Sequence, residues 1–312
     1  MSLAPRAVIV SRRSELDELL ARHGTRAAAE HFLKTRGRDL DEAAARHEAL
    51  EDALTAVEAA VPADWRRGRV DRSDLPRFLF TPEDLVVAVG QDGLVANLAK
   101  YLNGQPVIGV DPEPGRNPGV LSRFPSAAVA SVLARAAADT APVRSLTMVA
   151  ARLDDGQEML GLNEIYAGHP SHQSARYRLV DPAGRSERQS SSGIVVGTGT
   201  GATGWIASLA AERGFAGPLP GPEEQHLSWF VREAWPSPST GTHLTSGTIG
   251  AAQCLRMVCE SEQLTVFADG VESDHLTVTW GQQLTISVAA RRLNLVVEDR
   301  EHQRGRSRRS RR

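Results

Sequence analysis

Over the first 140 positions the apolar residues fall into two kinds of run. Unbroken runs at 7–10 (AVIV), 85–89 (LVVAV) and 106–110 (PVIGV) read as short strands buried on both faces, the kind that parallel sheets use. Between them the apolar positions recur at helical spacing. Leu40, Ala44, His47, Leu50, Leu54, Val57 and Ala60 or Val61 share one stripe, which predicts a long amphipathic helix over 39–61 with His47 packed on it. Ser14 and Asp17 have the spacing of a capping box, so a helix should open there and end at Gly24. LVANLAKYLNG, at 94–104, predicts a helix closed by Asn103-Gly104. With the strands on either side it makes a βαβ unit. The stretch 111–119 (DPEPGRNPG) is a loop, and a short helical run follows at 126–138.

From residue 143 the texture changes. VRSLTMVAARL, SARYRLVD, CLRMVCESEQLTVFADG and HLTVTWGQQLTISVAA alternate polar and apolar residues between turn signals, the pattern of an antiparallel β domain. Segments 214–222 and 236–243 are Pro/Gly- or Ser-rich loops within it. The predicted fold class is therefore α/β + β: a parallel-sheet α/β domain over 1–142 and a β-rich domain over 143–297. The charged tail 298–312 lacks apolar periodicity and is expected to be disordered.

Composition narrows the function only a little. A chain of 312 residues suits two domains, and a net charge of −2 argues against a general binder of nucleic acid or membrane surface. No apolar run approaches the roughly 18 residues of a membrane span. No signal-peptide pattern opens the chain, so a cytoplasmic protein is expected. Cys254 and Cys259 have the spacing of neither a zinc site nor a redox pair and read as buried reduced thiols. His169 and His172 are separated by a proline and lack a third partner, which favours a solvated loop, and no metal site is predicted.

The richest stretch is SSSGIVVGTGTGATGWIASLA, residues 190–210. Gly199, Gly201 and Gly204 have the spacing of a dinucleotide-binding turn after a strand. Such a turn needs an acidic residue about 20 positions on, at the end of a second strand. Glu223 and Glu224 lie instead in a Pro/Gly loop, and the whole stretch sits in the β-rich half. The Rossmann reading is set aside. Two readings stay open: bare N–H groups and short hydroxyls gripping a nucleotide, or a tight glycine turn with no ligand.

Three other features flank this one in order. Asp92 stands in Gly90-Gln91-Asp92-Gly93 after a strand, Asn163-Glu164 sits in GLNEIYAG, and Asp269-Gly270 sits in LTVFADGVE. Singly, each has a plainer reading. Asp92 could form a local Asx-turn, Asn163-Glu164 a hairpin turn, and Asp269-Gly270 is a hairpin signal first.

Taken in order, the four features resemble the NAD kinase family, and within it the mitochondrial-type branch. PVIGVDPEPGRNPG, LNEIYAG with SARYRL, SSSGIVVGTGTGATGW and FVREAWPS are each similar to segments of that branch. The likeness runs from about residue 6 to 297 and is weakest before residue 80. It implies an α/β domain and a β-sandwich-like domain with NAD between them, joined as a homodimer. It also implies transfer of the ATP γ-phosphoryl group to the 2′-hydroxyl of the adenosine ribose of NAD. By motif match Asp92 would be the base, and Gly90, Gln91 and Gly93 would cradle the ATP phosphates. Gly93, Asn163, Glu164, Thr200, Thr203 and Gly204 would hold NAD: Asn163 and Thr203 at the adenine, Glu164 at a ribose hydroxyl. Mg²⁺ would arrive with ATP. Three positions depart from the family pattern. Gln91 replaces a glycine, Leu94 a threonine, and Gly204 a larger residue. The alternatives are a non-catalytic NAD/ATP sensor of the same fold and a lipid-kinase-like member of the superfamily.

Overall fold

The computed structural model describes residues 5–116 and 119–299, so most of the charged tail lies outside the described residues. The chain forms two compact units. One comprises the chain up to Arg144 and again from Asn294; the other is Ser145–Leu293.

The first unit contains β1 (Arg6–Ser11), α1 (Glu15–His23), α2 (Arg26–Lys34), α3 (Leu40–Ala60), β2 (Arg66–Asp71), β3 (Asp84–Val89), α4 (Asp92–Ala99), β4 (Pro106–Asp111), β5 (Phe124–Pro125) and α5 (Val129–Ala137). The three expected buried strands and a fourth that was not expected, β2, form a parallel sheet in the order β4-β3-β1-β2. Its alternate residues Ala7, Ile9, Leu85, Val87, Val89, Ile108 and Val110 pack against Leu54 and Val57 of α3 and Val132 and Leu133 of α5. Both capping-box bonds of Ser14 and Asp17 are present, and Gly24 ends α1 at a φ of 76°. The α3 stripe is the expected one, with Leu40, Leu54, Val57 and Val61 buried and Ala44, Leu50 and Ala60 packed beside them, and it widens to include Ala43 and Ala53. Leu40 and Ala43 join Leu16, Leu19 and Leu33 in a small cluster with α1 and α2, while Ala53, Leu54 and Val57 serve the sheet. Serving two cores broadens the buried stripe along the helix, and His47 sits at its margin, bonded to Ser14 Oγ at 2.9 Å. The helix expected over 94–104 is shorter and earlier, running Asp92–Ala99; Tyr101 and Leu102 close it with tight-turn bonds to Leu98 and Ala99.

Asp84 opens β3 with a fully buried carboxylate. It accepts from Arg6 Nε and Nη2 at 2.7 and 2.6 Å, and from Thr81 N and Oγ1 at 2.7 and 2.9 Å. Burial alone would push this acid up; the Arg6 and Thr81 bonds outweigh that and hold it below the ordinary carboxylate range.

The second unit holds most of β6 (Val143–Leu153), β7 (Glu158–Gly161), β8 (Glu164–Gly168), β9 (Ala175–Val180), β10 (Ser186–Ser191), β11 (Ile194–Gly197), α6 (Trp205–Glu212), β12 (His226–Val231), β13 (Ser246–Gly250), β14 (Cys254–Cys259), β15 (Gln263–Ala268), β16 (His275–Thr279) and most of β17 (Gln283–Val296). One antiparallel layer runs β10-β9-β14-β17, with β6 and β7 beyond it; the other runs β13-β12-β11-β8-β15-β16. Their inward side chains, Tyr177, Leu179, Met257, Leu284, Ile165, Trp229 and Val266 among them, form one core. The last residues of β17 return to the first unit, where Asn294 and Leu295 pair in parallel with Pro106 and Val107 of β4.

Both cysteines are free, and only Cys259 is buried; Cys254 is half-exposed. Their offset of five on β14 puts them on opposite faces, as a strand's period of two requires. Among the described residues no helix is long and apolar enough to cross a membrane.

Asp84→Ala should strip Arg6 of its partner inside the sheet edge and destabilise the chain by about 3 kcal/mol. The shift of the urea midpoint at constant slope measures it.

Candidate functional site

In the first unit the carboxyl ends of β1, β3 and β4 lie along one edge of the parallel sheet. The connection after β1 leads to β2 on one side, and the connection after β3 leads to β4 on the other, so the gap between β1 and β3 is a topological switch point. Open α/β sheets bind ligands at such crevices. Arg12, Arg13 and Ser14 follow β1, Gly90 and Gln91 follow β3, and Pro112 and Glu113 follow β4. Together they line a cavity of about 120 Å³. A neighbouring cavity of about 230 Å³ is lined by Gly90, Gln91, Asp92, Gly93, Asp111, Gly119 and Ser122.

Asp92 opens α4, yet its carboxylate makes no Asx-turn. Oδ1 accepts from the backbone N–H groups of Leu121 (2.9 Å) and Ser122 (2.8 Å), and Oδ2 accepts from that of Val120 (2.7 Å). An ionised carboxylate offers about four lone-pair sites, so Oδ2 keeps room for one more proton donor. The turn it holds crosses β4 closely. A Cβ on Gly109 would sit 2.1 Å from Leu121 O, so only glycine fits there. Ser122 is 2% exposed, and its Oγ has no partner among the described residues. Gly90, at a φ of 152°, makes the bend out of β3, and the side chain of Gln91 is exposed with no capping bond. A Cβ at Gly93 would meet no protein atom, so its open side faces the cavity.

In the second unit the Asn163-Glu164 turn joins β7 to β8 and is held by the same device. Asp269 Oδ2 accepts from Leu162 N (2.9 Å), and Oδ1 from Asn163 N (2.7 Å) and Glu164 N (3.3 Å). Asp269 and Gly270 do stand at the turn between antiparallel β15 and β16, as the hairpin signal predicted. Sequence reasoning missed the reach of that side chain to the far turn.

The glycine/threonine loop packs against this turn. Thr198 donates its N–H to Asn163 O at 2.9 Å and its hydroxyl to Leu162 O. A Cβ on Gly201 would lie 2.3 Å from Asn163 O, and one on Gly199 2.1 Å from the Gly221 backbone. These glycines therefore permit contact between chain segments. The strand before them, β11, is antiparallel to both its neighbours, which removes the Rossmann geometry for good. Gly204 has no such need, for a Cβ there would meet nothing closer than 3.8 Å. Thr203 is exposed and donates Oγ1 to Thr200 O at 3.2 Å. Thr200 is 7% exposed, and its Oγ1 has no partner among the described residues.

Glu164 is strongly altered by its surroundings. Burial, and then the charge of Asp269, push its acid up to about 7. No hydrogen bond or ion pair engages its carboxylate among the described residues. Beside it, Trp205 stacks on Tyr166 with centroids 6.0 Å apart, and the Arg232 guanidinium lies 5.5 Å from the Trp205 ring.

The sequence motifs thus resolve into two clusters, one in each unit. Gly90, Gln91, Asp92 and Gly93 share the first with Asp111, Ser122, Arg12 and Arg13, which sequence reasoning missed. A signal for Arg12, Arg13 and Asp111 was present, because each follows or ends a buried parallel strand. Asn163, Glu164, Thr200, Thr203 and Gly204 belong to the second, with Asp269 beneath them. His169 lies in a loop, as expected, with Nδ1 taking the Ser171 N–H at 3.1 Å.

A parallel-sheet α/β unit followed by a two-layer antiparallel β unit is the fold class that the sequence predicted. No protein-family model and no curated protein matches the sequence. Solved structures do match in fold. An NAD kinase from Archaeoglobus fulgidus, solved with ATP, is 16% identical over 96% of each chain with a TM-score of 0.58. Yeast NADH kinase, solved with NADH, is 14% identical over 97% of this chain and 86% of its own, also at 0.58. The chain has the fold of these kinases.

Glu164 makes stability depend on pH. Below its ordinary value near 4.5 the group is neutral in folded and unfolded chains alike. Between there and about 7 only the unfolded chain readily ionises it, so stability falls as pH rises, and the full penalty applies above 7. Glu164→Gln should therefore raise the stability of the chain at pH 8 by about 2–3 kcal/mol and change it little at pH 4.5. Denaturant melts of both proteins at the two pH values test this.

Proposed function

We propose that this protein is an NAD kinase, moving the γ-phosphoryl group of ATP to the 2′-hydroxyl of the adenosine ribose of NAD or NADH. What carries the reading is Asp92: a carboxylate at the switch point of a kinase-type fold, held rigid by three amides and keeping one acceptor site on Oδ2. Phosphoryl transfer asks the protein chiefly for positioning and charge neutralisation. In this reading Asp92 takes the proton of the ribose hydroxyl as its oxygen attacks the γ-phosphorus and ADP leaves. The Gly90–Gly93 loop cradles the donor phosphates, and Arg12 and Arg13 in the adjoining cavity neutralise them. Asp111 lines the same cavity as Asp92. A carboxylate there would suit Mg²⁺ held mainly by the donor's phosphates.

The second unit supplies recognition of the nicotinamide nucleotide. Asn163 and Thr203 present hydrogen-bonding groups to the adenine edge, and Glu164 accepts from a ribose hydroxyl. The unpartnered Thr200 hydroxyl is a further donor. The resemblance to the mitochondrial-type branch, a homodimer and a cytoplasmic location belong to this same reading. A binding-only protein is the second reading, and the exposed Gln91 side chain at the phosphate loop is what favours it.

The test is an end-point assay of purified protein with Mg-ATP and either NAD or NADH, reading NADP or NADPH with a specific dehydrogenase. Product should form with the wild type, and Asp92→Asn should lower kcat by about 10²–10⁴-fold. Glu164→Gln should raise KM for the nicotinamide nucleotide several-fold and leave kcat within about threefold, as expected of lost ground-state binding. Binding of NAD with no product from ATP or polyphosphate would replace the kinase by the sensor. If Gln91→Gly then restored turnover, that single side chain would be the cause.

A further inference from the structure

The outward face of β9, β10 and β14 carries charge that the kinase reading does not use. Ala175, Tyr177 and Leu179 of β9 are buried in the core, so Arg176 and Arg178 between them point away from it. The register sets Arg188 of β10 directly opposite Arg178, and Ser190 opposite Arg176. Arg256 of β14 is opposite Val180 and joins the same face. Like charges directly across a strand pair repel and destabilise it. Glu260 holds Arg188 Nε at 2.9 Å, while no hydrogen bond or ion pair engages the Arg176 guanidinium among the described residues.

Arg176 and Arg188 line a cleft of about 590 Å³ that lies wholly within the second unit. That volume is typical of a small-molecule site. Two tryptophans line it as well, Trp235 at 67% and Trp280 at 72% exposure. Neither sits on loose chain. Trp235 donates its N–H to Ser190 O at 2.7 Å, and the loop after it is tied back by Gly241 N to Arg188 O and by His243 N to Glu187. Trp280 stands on the β16–β17 turn, which Gly281 N fastens to Cys259 O at 2.8 Å. Exposed indoles on fixed backbone, beside an Arg176 guanidinium that no carboxylate engages among the described residues and an Arg188 that shares the lining with its partner Glu260, are the complement of a flat ring bearing negative charge.

We propose that this cleft is a second ligand site and binds a purine nucleotide, with Arg176 and Arg188 on the phosphates and Trp235 and Trp280 against the base. A second copy of the chain is the poorer occupant. A two-fold contact would set this arginine face against its own image, and like charges across an interface are costly.

The experiment is a fluorescence titration of the full chain with ADP, following tryptophan emission, beside the exposed-residue variants Arg176→Ala and Trp280→Phe. The wild type should show saturable quenching. Arg176→Ala should weaken it about tenfold, as loss of a charged hydrogen bond does, and Trp280→Phe should remove a large share of its amplitude. Adenosine and pyrophosphate, each carrying half of the ligand, should bind at least tenfold more weakly than ADP. Quenching unchanged in both variants would put ADP elsewhere and overturn the proposal. Sedimentation showing a dimer that either variant dissolves would assign the cleft to a second copy and overturn it too. NADP formation in the same preparations reads the kinase site separately, so failure of one reading leaves the other measurable.

Discussion

Three consecutive backbone amides leave a turn with donors that no helix or sheet ladder satisfies, and a turn so exposed would lose its shape. Twice in this chain one aspartate takes all three. Asp92 gathers the amides of residues 120–122, and Asp269 those of residues 162–164. Everything proposed for function leans on these two knots. Each fixes an irregular segment with charge-assisted bonds, and each leaves side chains free that a regular element would have turned inward or paired. A site built this way is rigid before any ligand arrives, which is what positioning chemistry demands.

The second knot also sets the electrostatics around it. Asp269 faces three amides, while Glu164, one turn away, has only burial and a neighbouring negative charge. The first unit shows a related contrast at Asp84, where Arg6 and Thr81 overcome burial.

Much of this architecture could be read along the chain, for reasons that differ from element to element. Buried strands such as β3 and β4 announce themselves because, apart from Asp84 and Asp111 at their ends, they carry no polar side chain. The capping box at Ser14 is a purely local device and was legible as such. α2 was not. It is short, and only Ala29 and Leu33 of it are buried, so it writes no stripe. The α3 stripe was legible too, but Ala43 and Ala53 escaped it because one helix serves two clusters, a fact about tertiary neighbours. The motif order located both clusters, but Ser122 and the reach of Asp269 escaped. A buried serine without a partner looks like any serine, and an aspartate before glycine looks like any hairpin.

The two knots differ in how much chain each one closes. Asp92 binds amides 28 to 30 residues away, whereas Asp269 reaches back across 105 to 107. Closing a longer loop costs more entropy, and long-range contacts form late. During synthesis the Asp92 knot can close as soon as residue 122 has emerged. The Asn163-Glu164 turn must wait, its three amides turned to water, until β15 has been made. The second cluster thus takes its shape after the first, and a chain cut short before residue 269 would leave the Asn163-Glu164 turn unheld.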